Sequence, residues 1–295
     1  MWRIVGLVAV FAMLAVEAWA GEVRENQAAP SPALGGEIRY SLYLPEGHET
    51  GARYPVVYLL HGYGGGQREW LHGGRLEALL DRLIAADEIG PVIAVMPAAG
   101  KSWYVDSARY GGPGDYETAI MRDLMAEIDR RYPTRAAFGQ RAVAGNSMGG
   151  FGALRLAFRH PERFAAVAGL SPAIFMPDGV SWPDTLATSP TEEQDKWFPR
   201  TFGERFDLEI YKAETPFAHL DTMMAAQAQP QVLLTVADDD YFRLHDGTVE
   251  MYVELRRRGL KPELRVGDGG HDWDYWRGAA EEAFRFFDGV FHPAE

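Results

Sequence analysis

The chain of 295 residues contains no cysteine. That absence rules out disulfides, a thiolate nucleophile, a thiolate metal site and a lipidated cysteine anchor. A domain of this size buries enough surface to be stable without covalent staples. Cationic charge is also scarce: 29 Lys and Arg against 42 Asp and Glu leave a formal net charge of −13, with no basic stripe. No nucleic acid partner is expected, because such binding rests on neutralising phosphates. Solubility explains the acidity, which identifies no ligand. There is no H-E-x-x-H segment, no low-complexity stretch and no internal repeat. No metal and no cofactor is expected.

The long apolar run is confined to the start. Met1-Trp2-Arg3 leads into an apolar stretch from Ile4 to Val16, followed by Glu17-Ala18-Trp19-Ala20-Gly21. A short basic start, an apolar centre and an A-x-A pattern are the parts of a secretory signal peptide. The stretch is shorter than the roughly 20 apolar residues of a membrane span. Cleavage after Ala20 is expected, giving a periplasmic or secreted protein, without membrane attachment, of 295 − 20 = 275 residues. Arg3 and Glu17 cancel, so the charge is retained. That length suits one large α/β domain. Nothing in the sequence specifies an oligomeric state.

Residues 21–36 are rich in Glu, Ala, Pro and Gly and read as a flexible lead-in. From 37 to 292, strand and helix signals alternate. Ile38, Tyr40, Leu42 and Leu44 mark a strand with one buried face. Near-continuous apolar runs at 55–60, 91–96, 141–145, 164–170 and 231–236 read as strands buried on both faces, and 264–266 closes the series. Helical spacing appears at 76–86, 118–132 (Ile120, Leu124 and Ile128 on one face), 151–159, 248–258 and 276–287. The fold class predicted is α/β, a mostly parallel central sheet with helices on both faces. Residues 173–229 lack strand signal and read as a partly helical insertion covering the carboxyl edge of the sheet.

Gly145-Asn146-Ser147-Met148-Gly149-Gly150 lies between a buried strand and a helix. G-x-S-x-G in that setting is the pattern of a serine that projects from a sharp, strained turn. Glycines two residues either side avoid clashes that side chains would make, and the helix N-terminus offers N–H groups to an anion. Ser147 is the candidate nucleophile. Leu59-Leu60-His61-Gly62-Tyr63-Gly64-Gly65-Gly66 follows an earlier buried strand, where the second donor of an oxyanion hole belongs. Met148 and Tyr63 are the candidate donors, with Gly64 the alternative for the second. His61, directly ending a strand, reads as structural.

The chain order in this fold is serine, acid, histidine. A strand at 231–236 runs into Asp238-Asp239-Asp240, any one of which could orient a histidine. Gly267-Asp268-Gly269-Gly270-His271-Asp272-Trp273 follows the last strand, and its glycines leave His271 free to reach the serine as general base. His160, His219, His245 and His292 sit in less suitable places.

Together with Ser102-Trp103-Tyr104-Val105-Asp106-Ser107, these segments resemble the esterase D-like putative esterase family over roughly residues 36–290. That family has the α/β-hydrolase fold and includes S-formylglutathione hydrolases, feruloyl esterase domains, acetyl and tributyrin esterases, and mycolyltransferases. The resemblance implies Ser147 as nucleophile, His271 as base and Asp239 as acid, although Val236 stands where the family's pattern has Gly. It implies a serine carboxylesterase that works through an acyl-enzyme on a small-molecule or carbohydrate ester, such as an acetyl or feruloyl ester. Trp103 and Tyr104 match a segment at the family's active-site edge, and with Trp182, Trp197, Tyr241 and Trp273 they could stack on sugars or aromatic acyl groups. Acyl transfer to a sugar, as in the mycolyltransferase relatives, and a non-catalytic protein keeping the fold are the alternatives. Export disfavours the S-formylglutathione role, which depends on the cytosolic glutathione pool.

Overall fold

The computed structural model describes residues 20–175 and 191–293. The expected signal peptide and Trp182 lie outside the described residues, except that Ala20 is included. In chain order the principal elements are β1 (Glu22–Ser31), β2 (Gly36–Leu44), β3 (Val56–Leu60), α1 (Glu69–His72), α2 (Leu76–Ala85), β4 (Ile93–Pro97), α3 (Met125–Arg131), β5 (Arg141–Asn146), α4 (Met148–Arg159) and β6 (Ala166–Leu170). There follow α5 (Thr191–Trp197), α6 (Leu208–Glu214), α7 (Leu220–Ala225), β7 (Gln231–Ala237), α8 (Leu244–Arg257), β8 (Glu263–Gly267) and α9 (Trp273–Phe291). A single turn at Tyr116–Thr118 and a π-helical stretch at Ala119–Leu124 run into α3.

Among the described residues the strands form one eight-stranded sheet in the order β1-β2-β4-β3-β5-β6-β7-β8. The pairings β1–β2 and β2–β4 are antiparallel; all from β4–β3 to β7–β8 are parallel. β3, β4, β5 and β6 are buried throughout, which is why they read as unbroken apolar runs. Alternate residues face opposite sides. Val56, Tyr58 and Leu60 join one core with Ile128 of α3, Leu154 and Phe158 of α4, and Met251 and Leu255 of α8. Val57 and Leu59 join a second core with Leu76, Leu80 and Leu83 of α2 and Trp276, Phe284 and Phe287 of α9. The parallel strands leave their carboxyl ends at one edge, where ligands bind in open α/β sheets.

Residues 21–36 are not a flexible lead-in. β1 pairs antiparallel with β2 through a bulge between Arg24 and Gln27, and a 3-10 turn at Pro32–Leu34 with Gly35 at φ +64° reverses the chain. The strand was hidden because only Ala29 and Ser31 are fully buried: a backbone ladder holds it, not an apolar face. Its position at the sheet edge tolerates Pro30, whose missing N–H removes no essential ladder bond. Between β6 and β7, the described part of the insertion carries α5, α6, a 3-10 turn at Pro216–His219 and α7, with no strand. Among the described residues, no helix is long and apolar enough to cross a membrane.

Candidate active site

β5 ends in a turn that backbone geometry makes unusual. Ser147 has φ 54° and ψ −120°, a region that costs a non-glycine residue on the order of 1–3 kcal/mol. The turn is held from several sides: Ser147 N–H donates to Leu170 O at 2.9 Å, and Ser147 O accepts from Ala173 N–H at 2.9 Å and Phe151 N–H at 3.1 Å. The flanking glycines are required by close approach. A Cβ on Gly145 would lie 2.2 Å from the Gly149 carbonyl, and one on Gly149 would lie 2.1 Å from Leu60 O. α4 starts at once, with Met148 at its first position. Its free N–H groups therefore cluster beside the serine.

His271 is brought to this turn from the loop between β8 and α9. Asp272 caps α9, accepting from Asp274 N–H at 2.9 Å and Tyr275 N–H at 3.3 Å, and so fixes the residue before it. His271 Nε2 lies 2.9 Å from Ser147 Oγ, and Nδ1 lies 2.7 Å from Asp240 Oδ2. A carboxylate only accepts, so Nδ1 carries the proton and Nε2 is free to accept from the serine hydroxyl. The rings of Phe242 and Trp276 stand edge-on to the imidazole at 5.0 and 4.8 Å. Asp240 and His271 are both buried.

The carboxylate beside His271 is thus Asp240, not Asp239. Beyond β7 the chain keeps pairing along β8: Asp238 N–H donates to Gly267 O at 2.9 Å and Asp239 N–H to Gly269 O at 3.1 Å. This keeps both side chains at the surface, where Asp238 Oδ1 accepts from the N–H groups of Asp239 and Gly269. The chain turns inward only at Asp240, whose other oxygen accepts from Phe242 N–H at 2.9 Å. Asp238, Asp239 and Asp268 bring carboxylate oxygens within 4.8 Å of one another, an exposed grouping of oxygen donors that touches neither Ser147 nor His271.

Above Ser147 opens a cavity of about 400 Å³ walled by Tyr63, Trp103, Trp197, Tyr241, Phe242 and Trp273, among others. Trp197, the last residue of α5, comes from the segment between β6 and β7. Trp103 Nε1–H donates to Trp197 O at 2.9 Å, and the Tyr63 hydroxyl donates to Lys196 O. Trp103 and Trp273 face the cavity. Tyr104 does not: it is wholly buried, with its hydroxyl donating to His61 O at 2.8 Å, and burial raises its pKa well above the ordinary phenol value. Trp103 and Tyr104 both have positive φ, 54° and 60°, and of this aromatic pair Trp103 alone lines the cavity.

Tyr63, Ser147 and Met148 all line the cavity. His61 underpins the loop. Its Nε2 accepts from Ala99 N–H at 2.9 Å and its Nδ1 donates to Gly62 O at 2.8 Å. Burial pushes its pKa below the ordinary imidazole range, against the opposing pull of the Gly62 bond. It is a neutral, fully used side chain. Glu69, not among the residues expected from the sequence, also lines the cavity, and its Oε1 accepts from Gly62 N–H at 3.1 Å and from Asn146 Nδ2 at 2.9 Å. The one clue in the sequence was an acid opening the helical turn directly after the glycine-rich loop.

A family model described as putative esterase matches residues 31–287. The chain belongs to this family. Among curated members, it is 33% identical over 156 residues to an endo-1,4-β-xylanase/feruloyl esterase from Xylanibacter ruminicola, a match covering 50% of this chain and 21% of that protein. The chain therefore spans about a fifth of that relative. An acetyl esterase from Caldicellulosiruptor saccharolyticus is 24% identical over 238 residues, covering 80% of this chain and 84% of that one. Among solved structures, a ferulic acid esterase superposes with a TM-score of 0.75 at 28% identity, covering 93% of this chain and all of the other. An S-formylglutathione hydrolase from Agrobacterium tumefaciens, at 18% identity, shares the fold with a TM-score of 0.70 over 93% of this chain and 97% of that one. The fold is that of the α/β hydrolases.

Proposed function

We propose that the protein is an exported serine carboxylesterase that cleaves short acyl or feruloyl esters of carbohydrate through an acyl-enzyme on Ser147. The observation carrying this reading is the continuous chain from Ser147 Oγ through His271 to Asp240, at 2.9 and 2.7 Å, built on a strained turn at the floor of an open cavity. Family membership and the esterase relatives support the reaction class. The segment preceding Gly21 supports export.

In the first half-reaction, His271 Nε2 takes the serine proton as Oγ attacks the ester carbonyl carbon. Asp240 holds the Nδ1 tautomer and stabilises the imidazolium that forms. The carbonyl oxygen becomes an oxyanion facing the N–H groups of Tyr63 and Met148; losing one such donor typically costs about 2.7–4 kcal/mol in the transition state. The ester C–O bond breaks, His271 returns its proton to the departing alkoxide, and the alcohol leaves. Water then attacks the acyl-enzyme, again giving a proton to His271, and the acid is released as Ser147 recovers its own.

The cavity volume falls in the range of small-molecule sites, about 300–1,000 Å³. Its aromatic walls favour flat or ring-shaped groups. Trp103 and Trp273 are the proposed contacts, and Tyr241, 70% exposed next to His271, extends the surface outward. The test is a panel of p-nitrophenyl esters of increasing acyl length, with methyl ferulate and acetylated xylan, run on wild type and Ser147→Ala. Release of acid from the short-chain, ferulate or xylan substrates by wild type alone supports the reading. Equal background rates with both proteins across the panel would end it.

A further inference from the structure

We propose that Glu69 is a positioning residue that assembles the oxyanion hole, tying the loop that presents Tyr63 to the turn that presents Met148; this rests on the hydrolytic reading of Ser147 given above. The two halves of such a hole come from separate segments and must keep a fixed separation. The parallel ladder between β3 and β5 sets that spacing only as far as the pair Leu60–Gly145. β3 ends there and β5 one residue later, at Asn146, and the donors lie beyond. Glu69 supplies the next tie. Its Oε1 accepts from Gly62 N–H at 3.1 Å, on the residue before Tyr63, and from Asn146 Nδ2 at 2.9 Å, on the residue before Ser147. One oxygen thus binds both segments within two residues of each proposed donor. Bonds to a carboxylate are shorter and stronger than those between neutral groups.

The surroundings are shaped to this carboxylate. A Cβ on Gly65 would fall 1.5 Å from Glu69 Oε2, and one on Gly62 would fall 3.0 Å from Asn146 Nδ2 and 3.4 Å from Glu69 Oε1. The glycines after His61 let the loop wrap around the acid as well as approach the serine. Asn146 is wholly buried, and among the described residues its Oδ1 has no hydrogen-bond partner. Its bond to Glu69 therefore anchors a side chain that would otherwise hold both polar groups unpaired. Glu69 touches none of the reacting atoms in this scheme; it acts through Gly62 and Asn146.

The test compares Glu69→Ala, Glu69→Asp and Glu69→Gln with wild type in the full chain. It follows p-nitrophenyl acetate hydrolysis, thermal melting and labelling of Ser147 by a fluorophosphonate. Displacing catalytic groups by about 1 Å can cost on the order of 100-fold, so Glu69→Ala and the shorter Glu69→Asp should lose about that much in kcat with KM within about threefold. Glu69→Gln keeps an acceptor oxygen at the Oε1 position and should stay within about fivefold of wild type. Overturning results are a Glu69→Ala enzyme with undiminished kcat, a loss confined to KM, or a Gln variant no better than Asp. Should Glu69→Ala fail to fold, Gln against Asp decides alone. A wild type that is active and labelled but matched by Glu69→Ala sinks this inference only; a wild type neither active nor labelled at Ser147 sinks the esterase reading and this inference with it.

Discussion

Replacing Asp240 by Asn separates the acid seen beside His271 from the neighbour that motif matching selects. Asp240 uses both oxygens: Oδ2 faces His271 Nδ1 at 2.7 Å and Oδ1 accepts from Phe242 N–H at 2.9 Å. An Asn can keep only one of these acceptors. If its oxygen stays with Phe242, its NH2 group faces Nδ1, which must then accept. The proton moves to Nε2, and the imidazole can no longer take the Ser147 proton. The same exchange of Asp for Asn in a serine protease triad, a known comparison and not a value worked out for this protein, lowers kcat by about 10⁴. At about 1.36 kcal/mol per tenfold this is about 5.5 kcal/mol of transition-state stabilisation. Both partners are buried, so water cannot substitute for the lost acceptor. Asp239→Asn should change kcat/KM by less than about twofold, because Asp239 is exposed and does not bond His271. Initial rates on p-nitrophenyl acetate with melting curves for each variant provide the assay. A large loss in Asp239→Asn together with a near-normal Asp240→Asn would refute the reasoning.

Gly149→Ala would place a Cβ 2.1 Å from Leu60 O and 2.8 Å from His61 O, both backbone atoms at the end of β3. Relief requires moving that strand end, at a cost of about 3 kcal/mol, whereas among the described residues nothing lies within 4 Å of where a Cβ on Gly139 would stand. At about 2–4 °C per kcal/mol for a domain near this size, Gly149→Ala should melt about 6–12 °C lower and Gly139→Ala near wild type; equal melting of the two contradicts the clash argument. Acid should destabilise the fold through the charge cluster between α4 and α6. Burial alone would raise the pKa of Glu117, but the His160 hydrogen bond at 2.6 Å and the charges of Arg155 and Arg159 outweigh it and bring it down to about 2. A depressed carboxyl stabilises the fold above its unfolded pKa of about 4.5, and that contribution, about 3 kcal/mol, disappears as pH falls towards 2. His219, lowered to about 4 by burial and then by Arg155 and Arg159, acts in the same direction: its neutral form is favoured by folding, so stability falls as pH drops from about 6.5 to 4. Melting temperature should therefore decline from pH 6.5 to 3, with a shallower lower limb in Glu117→Gln; a flat profile in wild type contradicts both shifts.

What could be read from the sequence and what could not divides along physical lines. β3, β4, β5 and β6 are legible because strands covered on both faces are apolar at nearly every position; in β5 only its end residues, Arg141 and Asn146, are polar. Ser147 and His271 stood out because the chemistry imposes a backbone requirement, and the glycines that satisfy it leave a pattern. The choice among three consecutive Asp residues leaves no such trace. It depends on how far the chain beyond β7 keeps pairing with residues 267–269, a long-range register. The substitution of Val236 for the family's Gly was the one local sign that the count from that position would slip. β1 was missed because an edge strand held by its ladder needs few apolar residues. Tyr104 and Trp103 are equally aromatic, and only the loop's conformation decides which one faces the cavity. Glu69 was invisible for a similar reason: its partners Gly62 and Asn146 meet only in the folded chain.

The role of Ser147 is tested most directly by intact-mass and peptide analysis after treatment with a fluorophosphonate. The serine oxygen would bond to phosphorus as fluoride leaves, while His271 accepts the serine proton. The account predicts one adduct per chain, on the peptide containing Ser147, absent in Ser147→Ala and strongly slowed in Asp240→Asn. A folded wild type that takes up no label, or takes it up at another residue while Ser147→Ala labels equally well, would contradict it.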